Sequence, residues 1–288
     1  MRIAVLLTCH NRVEKTLSFL RSLVEVKRPE GCGLEVFLTD DGSTDGTGDR
    51  VRALGNTMPT GLSVAVVEGS GNDFWCGGMR RAWRAAVESG KNYDFFLWAN
   101  DDVELYPDAL TELLEIAKSQ NQAGLGVVCG CFCDPDTGEF TYGGRDEKRL
   151  LLPDGTPQKC RYIHGNTVLV PKSTYERIGM FDDRWTHGFG DTDYGLMCIK
   201  AGLSCLTTTK YIGTCRQHAI KAPWFSSEVP FRCRWELMWK PVGGSFREFV
   251  IFRRKHYPYR WPLDAVKFFV QVLFPWVLEL LRRGVRAS

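Results

Sequence analysis

Short apolar runs alternate with stretches of helical spacing over the first 119 residues, and this alternation restricts the fold more than any other feature of the chain. RIAVLLT, LEVFLTD, LSVAVVEG and YDFFLWAN read as buried strands. Residues 13–26, 76–89 and 107–119 carry apolar side chains at helical intervals, the last opened by an early proline. Repeated β-α units build a mainly parallel sheet covered on both faces. Ligands of such sheets bind beyond the carboxyl ends of the strands. Residues 8–11, 40–45 and 100–102 are therefore expected along one edge.

Further on, residues 134–161 mix Pro, Gly and charges with little periodicity, and a hairpin with surface loops is expected there. TVLVP returns to strand, KSTYERIG and residues 193–201 to helix, the latter stopped by Gly202, and SCLTTT to strand. The eleven cysteines include no CxxC pair, which argues against a zinc ribbon or a thioredoxin-type site. VVCGCFC sets Cys129, Cys131 and Cys133 on one face of a strand. Buried thiols in a reducing cytoplasm are the expectation, since the N-terminal apolar run is too short for a secretory signal. A net charge of +3 is too slight to suggest nucleic acid as a partner.

The densest acidic stretch is FLTDDGSTDGTGD, beginning at Phe37. Asp41-x-Ser43-x-Asp45-Gly46 has the form of the front of an EF-hand loop, but the twelfth position, which must be a bidentate Glu, is Arg52. A strand rather than a helix precedes it, so calcium is excluded; a nucleotide ligand and a solvated turn both stay open. In WANDDVELYPDAL, adjacent carboxylates end a strand. They suit a hard divalent cation that shares its shell with phosphate oxygens, or, more simply, a helix N-cap by Asp102 or Asp108. In HGFGDTDYGLMCIKAG, Asp191 and Asp193 follow a glycine-rich loop before a helix; one could cap it and the other act as a base.

TCHNR, TDDGSTDGT, NDFWCGGMRRAW, WANDDVELYPDAL, HGNTVLVPKSTYERIGMFDDRW and GDTDYGLMCIKAG occur in this order. The set resembles the family 2 glycosyltransferases of GT-A fold, over roughly residues 1–220. The resemblance implies an inverting enzyme with an α/β GT-A fold, using a UDP- or dTDP-sugar donor, a glycan or lipid-linked acceptor, and Mg2+ or Mn2+. It implies that Thr8 and Arg12 flank the nucleotide and that Asp40 and Asp41 bind its base and ribose. Gly77 and Gly78 would let the backbone approach the donor, Arg80 or Arg81 would lie near the diphosphate and Trp75 would wall a sugar ring, unless Trp75 is a core aromatic. Asn100, Asp101 and Asp102 resemble the D-x-D element, with Asn at its first position and Asp102 as the metal ligand. His218 matches a late histidine that sometimes joins the metal, or else is an ordinary surface imidazole. Asp191 matches the catalytic base, although Gly190 replaces the acidic neighbour of many relatives. Asp193 and Asn166 would support the base and the acceptor.

The expected division is a catalytic domain over 1–220, with a nucleotide-binding half to about 104 and an acceptor half from about 105, then a helical extension over 221–288. From Arg247 onward nine Lys or Arg face three Asp or Glu. Residues 263–281 contain Lys267, Gln271, Pro275 and Glu279 and make a poor spanning helix. Peripheral membrane contact through 247–288 at the inner face of the cell membrane is expected. The alternative is packing on the catalytic domain or on a second copy in a homodimer. Two other functions compete: a non-catalytic membrane-binding scaffold, and a nucleotide-dependent oxidoreductase, against which stands the lack of GxGxxG after the first strand.

Overall fold

The computed structural model describes residues 1–119, 124–147, 149–217, 223–242 and 245–276. The chain begins with β1 (Arg2–Cys9), α1 (Val13–Glu25), β2 (Gly33–Asp40), α2 (Thr47–Gly55), β3 (Leu62–Glu68), α3 (Phe74–Glu88) and β4 (Phe95–Ala99). It continues through β5 (Glu104–Leu105), α4 (Ala109–Ser119), β6 (Leu125–Cys133), β7 (Phe140–Tyr142), β8 (Lys159–Cys160), β9 (Thr167–Pro171), α5 (Lys172–Ile178), α6 (Gly190–Lys200) and β10 (Ser204–Thr214). The last helices are α7 (Phe231–Leu237), α8 (Phe246–His256) and α9 (Trp261–Leu273). The described residues fall into two compact units, one made of those within 1–183 and 190–217, the other of those within 184–189 and 223–276.

The sheet of the first unit runs β3-β2-β1-β4-β9-β6-β10-β5, with β7 beside β6 and β8 beside β10. β1, β2, β3 and β4 are mutually parallel, while β9 is antiparallel to β4 and β6. Residues of β1 alternate between two cores, as the period-two geometry of a strand requires. Ile3, Val5 and Leu7 pack with Leu17, Leu20 and Leu113 on one face. Ala4 and Leu6 pack with Met79, Trp83, Phe96 and Trp98 on the other. Trp83 is fully buried against Phe96, Trp98, Tyr175, Phe181 and Tyr194. This explains why the strands read as unbroken apolar runs: both of their faces are covered.

Strand order reverses at β1, with β2 and β3 on one side and β4 on the other, so the crevice of this sheet opens between the ends of β1 and β4. The antiparallel register sets Ala99 opposite Thr167, which brings Asn100 and Asn166 together at that end. Ten of the eleven cysteines are buried and all are free thiols. The region 134–161 holds β7, β8 and bridges from Arg145 to Leu150 and Tyr162.

In the second unit, Trp224, Met238, Phe268 and Val272 form a small core. Ser245 caps α8 by accepting the Glu248 amide at 3.2 Å. Of the helix expected over 263–281, α9 covers the part to Leu273; the helix breaks at Phe274 and residues 275–276 are helical again. Buried Arg234 donates to the carbonyl oxygens of Val272 (2.9 Å) and Leu273 (3.4 Å), which satisfies the helix end, and Pro275 follows. Residues 277–281 lie outside those described. No helix among the described residues is long and apolar enough to cross a membrane.

Candidate active site

The loops after β1 and β2 are sewn to each other through side chains. The Asn11 amide donates to Ser43 Oγ at 2.9 Å, Thr44 N to Asn11 Oδ1 at 2.7 Å, and His10 Nδ1 lies 2.7 Å from the Asp41 carbonyl oxygen. Asp45 accepts the amides of Val13 (3.1 Å) and Thr47 (3.0 Å), tying the start of α1 to the start of α2. These bonds hold its carboxyl below the usual range, the Thr47 hydroxyl foremost.

Asp40 and Asp41 differ in what they still offer. Asp41, 5% exposed, accepts amides from Gly71 (2.7 Å) and Asp73 (3.1 Å) on Oδ1 and from Phe74 (2.9 Å) on Oδ2. Its work is to fix the loop before α3. Asp40 accepts the Ser43 amide on Oδ1 at 3.0 Å, and its Oδ2 accepts no bond among the described residues. Gly48 closes over that oxygen, where a Cβ would come within 2.5 Å.

Arg12 reaches ninety residues along the chain to the end of β4. Its two terminal nitrogens meet Asp101 at 3.0 Å and Asp102 at 2.8 Å. Asp101 is buried and also accepts the Thr16 hydroxyl at 3.0 Å. Burial pushes its carboxyl up to about 6 and Asp102 adds to the push, while Arg12 opposes it. Burial also works against the charge of Arg12, but the two carboxylates prevail and raise its pKa. Of the pair, Asp102 is the more accessible.

A second network runs from α3 to α6. The Trp75 indole donates to Asn100 Oδ1 at 2.7 Å, Asn100 Nδ2 to Asn166 Oδ1 at 2.8 Å, and Asn166 Nδ2 to the Cys215 thiol at 3.4 Å. Gly165 lies against the Trp75 ring, where a Cβ would meet the indole at 2.6 Å, so only glycine fits. The Gly165 amide donates to Asp191 Oδ2 at 2.9 Å, and the Thr192 amide to Asp191 Oδ1 at 2.6 Å. Each oxygen keeps a lone pair for a hydroxyl proton. Burial lowers the pKa of neighbouring His164, against the pull of Asp191, and its ring packs against Tyr142, centroids 4.5 Å apart and planes tilted by 38°.

Other expected site residues are placed less directly. Gly78 packs on β1, where a Cβ would strike Thr8 Oγ1 at 2.1 Å, so its lack of a side chain serves the helix–sheet contact. Arg81 pairs with Asp73 at 2.5 Å. Asp193 is buried in the first turn of α6. His218 lies outside the described residues. Gly165 lies in the HGN stretch of the motif set, but the bond from its amide to Asp191 was not expected, nor was the Cys215 thiol, because both act only once the strands are paired. Asn11 (φ 51°), Phe74 (φ 53°) and Phe189 (φ 65°) adopt left-handed backbone, the first two in loops held by the bonds to Ser43 and Asp41 given above. Strain of this kind, about 1–3 kcal/mol per residue, persists where surrounding bonds over-determine it.

No three His, Cys, Asp or Glu side chains gather as a metal-binding set among the described residues. A Mg2+ or Mn2+ ion that completes its shell with phosphate oxygens and water needs only one or two carboxylates. Asp102, a hard oxygen donor at the edge of the sheet, fits that requirement.

A doubly covered sheet with its acidic loops at the carboxyl edge is the architecture of a GT-A glycosyltransferase. The family described as Glycosyl transferase family 2 matches residues 4–179, and the chain belongs to that family. It is 24% identical over 162 residues to an uncharacterized glycosyltransferase of Rickettsia prowazekii (strain Madrid E), a match covering 54% of this chain and 47% of that protein. The match thus spans about half the length of that relative. Among solved structures, the mannosyltransferase PcManGT from Pyrobaculum calidifontis in complex with GDP-Man and Mn2+ superposes with a TM-score of 0.60 at 16% identity. That superposition covers 99% of this chain and 80% of PcManGT, a likeness of fold.

Proposed function

We propose that this glycosyltransferase inverts the anomeric centre as it moves a sugar from a UDP- or dTDP-sugar to a hydroxyl of a glycan or lipid-linked acceptor. The observation that carries the reading is the Asp191 carboxylate, oriented by the amides of Gly165 and Thr192 beside Trp75, Asn100 and Asn166. In this reading Asp191 takes the proton of the acceptor hydroxyl as that oxygen attacks the sugar from the face opposite the nucleotide. Trp75 bounds the sugar ring, and Asp40, with an oxygen not taken by the backbone, accepts the N3–H that uracil and thymine share. A divalent ion held by Asp102 would offset charge growing on the leaving diphosphate. The Asp102 charge is already shared with Arg12, which keeps the carboxylate oriented.

Asp191→Asn is expected to lower transfer about 10²–10⁴-fold while donor affinity, measured by calorimetry with Mn2+, changes less than about twofold. Turnover close to wild type would refute the role of Asp191. Donor binding without transfer or donor hydrolysis by the wild type would favour the scaffold reading.

We further propose that residues 247–288 touch the inner face of the cell membrane. The support is the exposed apolar stripe of Leu263, Val266, Val270 and Leu273 on α9 and the basic excess of this part of the chain.

A further inference from the structure

The second unit carries an open cavity of about 480 Å³, within the size range of small-molecule sites. Trp224, Phe225, Phe249 and Phe268 form its aromatic walls, with Phe268 5.1 Å from Phe225 and 5.0 Å from Phe249. Three cations line it against one carboxylate. That carboxylate, Asp264, already accepts Arg253 Nε at 2.7 Å. Arg260 and Lys267 pair with no carboxylate among the described residues. They are seven positions apart, two turns along one side of α9, or about 10 Å at 1.5 Å per residue.

Trp224 adds a second, independent observation. The residue is 3% exposed, and its indole N–H has no acceptor among the described residues. A buried donor left unpaired costs about 1–3 kcal/mol, and here the residue carrying it lines a cavity. The side-chain capacity left over at this site is mostly donor, from Arg260, Lys267 and the Trp224 indole against Asp264 Oδ1 and the Gln271 amide, and the residual charge is positive. The walls want hydrocarbon, and the mouth wants an oxygen-rich dianion.

We infer that this cavity binds an aliphatic phosphate: a hydrocarbon chain against Trp224, Phe225, Phe249 and Phe268, and a phosphate head between Arg260 and Lys267. The site lies within the second unit, and its occupancy does not depend on the donor chemistry proposed above.

Calorimetric titration of the full chain with monomeric dodecyl phosphate tests this. The expected result is saturable one-to-one binding, at least about tenfold tighter than inorganic phosphate or dodecanol, since tenfold corresponds to 1.4 kcal/mol. Arg260→Gln with Lys267→Gln removes two exposed charges and is expected to weaken dodecyl phosphate about tenfold or more with an unchanged melting curve. Equal binding by the double variant, or equal binding of dodecanol, would overturn the assignment. So would binding to vesicles of phosphatidic acid without binding to the monomer, which would assign both cations to a membrane surface. Asp191→Asn should bind dodecyl phosphate as the wild type does, so a failure of the transfer reading leaves this result untouched.

Discussion

The acidic edge of the first unit and the aromatic second unit use charge in opposite ways. At the sheet edge, carboxylates are consumed mainly by backbone: Asp41 takes three amides, Asp45 takes two, and Asp191 takes two. In the second unit, Arg234 is buried onto carbonyl oxygens, whereas Arg260 and Lys267 stand exposed at a cavity mouth. A carboxylate that answers amides fixes loops and so defines a site before any ligand arrives. A cation without a counter-charge fixes nothing and is informative about a ligand instead.

The sharpest break of this comparison lies between two adjacent residues. Asp41→Ala strips the acceptor from three partly buried amides and should cost about 3 kcal/mol, read from chemical denaturation. Asp40→Ala removes one such bond, so its stability loss should be about 1 kcal/mol, while the nucleotide affinity proposed for it falls. Equal destabilisation by the two variants would mean that the division between loop-fixing and ligand-facing carboxylates is wrong.

The sequence was a good guide where chemistry is local. The strand runs, the turn over residues 41–46, and the acidic ends of β2 and β4 all declare themselves within a few positions. What it did not reveal acts across the chain. The Arg12 bridge to Asp101 and Asp102 spans about ninety residues, and no spacing rule separates it from an arginine that faces a phosphate. The Gly165 amide reaches Asp191 only because β9 pairs antiparallel with β4. The break after Leu273, within the helix expected over 263–281, was hidden for the same reason, since the apolar pattern continues past Leu273 while Arg234, far away in sequence, takes the terminal carbonyls. The segment 184–189, inside the expected catalytic domain, groups instead with the second unit.

That segment gives a prediction of intermediate size. Trp185 is fully buried, Phe189 stacks on Phe252 at 4.8 Å, and Glu248 Oε1 accepts the Thr186 amide at 3.2 Å. Burial raises the Glu248 carboxyl above its ordinary value, while Thr186 foremost, with the amides of Gly188 and His187, opposes the rise. A raised folded pKa means the native state holds the proton more tightly than the unfolded chain does. The contribution is therefore full below the unfolded pKa and is lost as pH rises through the folded one. Glu248→Gln keeps an oxygen for Thr186 and should flatten this decline, as seen in denaturation at pH 4 and pH 8. A slope equal to wild type would show that Glu248 does not titrate on unfolding.

The smallest stability change is expected on the outer side of α9, where Leu263 is 75% and Val266 62% exposed. Exposed apolar side chains gain little from folding, so Leu263→Ser with Val266→Ser should shift stability by no more than about 0.5 kcal/mol. The same pair belongs to the stripe proposed to meet the membrane, where burial in lipid would draw on the apolar area left in solvent. Co-sedimentation with anionic vesicles should then fall several-fold in the double variant while its melting curve stays in place. If vesicle binding is unchanged, the stripe does not meet lipid. If stability drops sharply instead, part of the chain covers these residues, and their exposure is not available to a membrane.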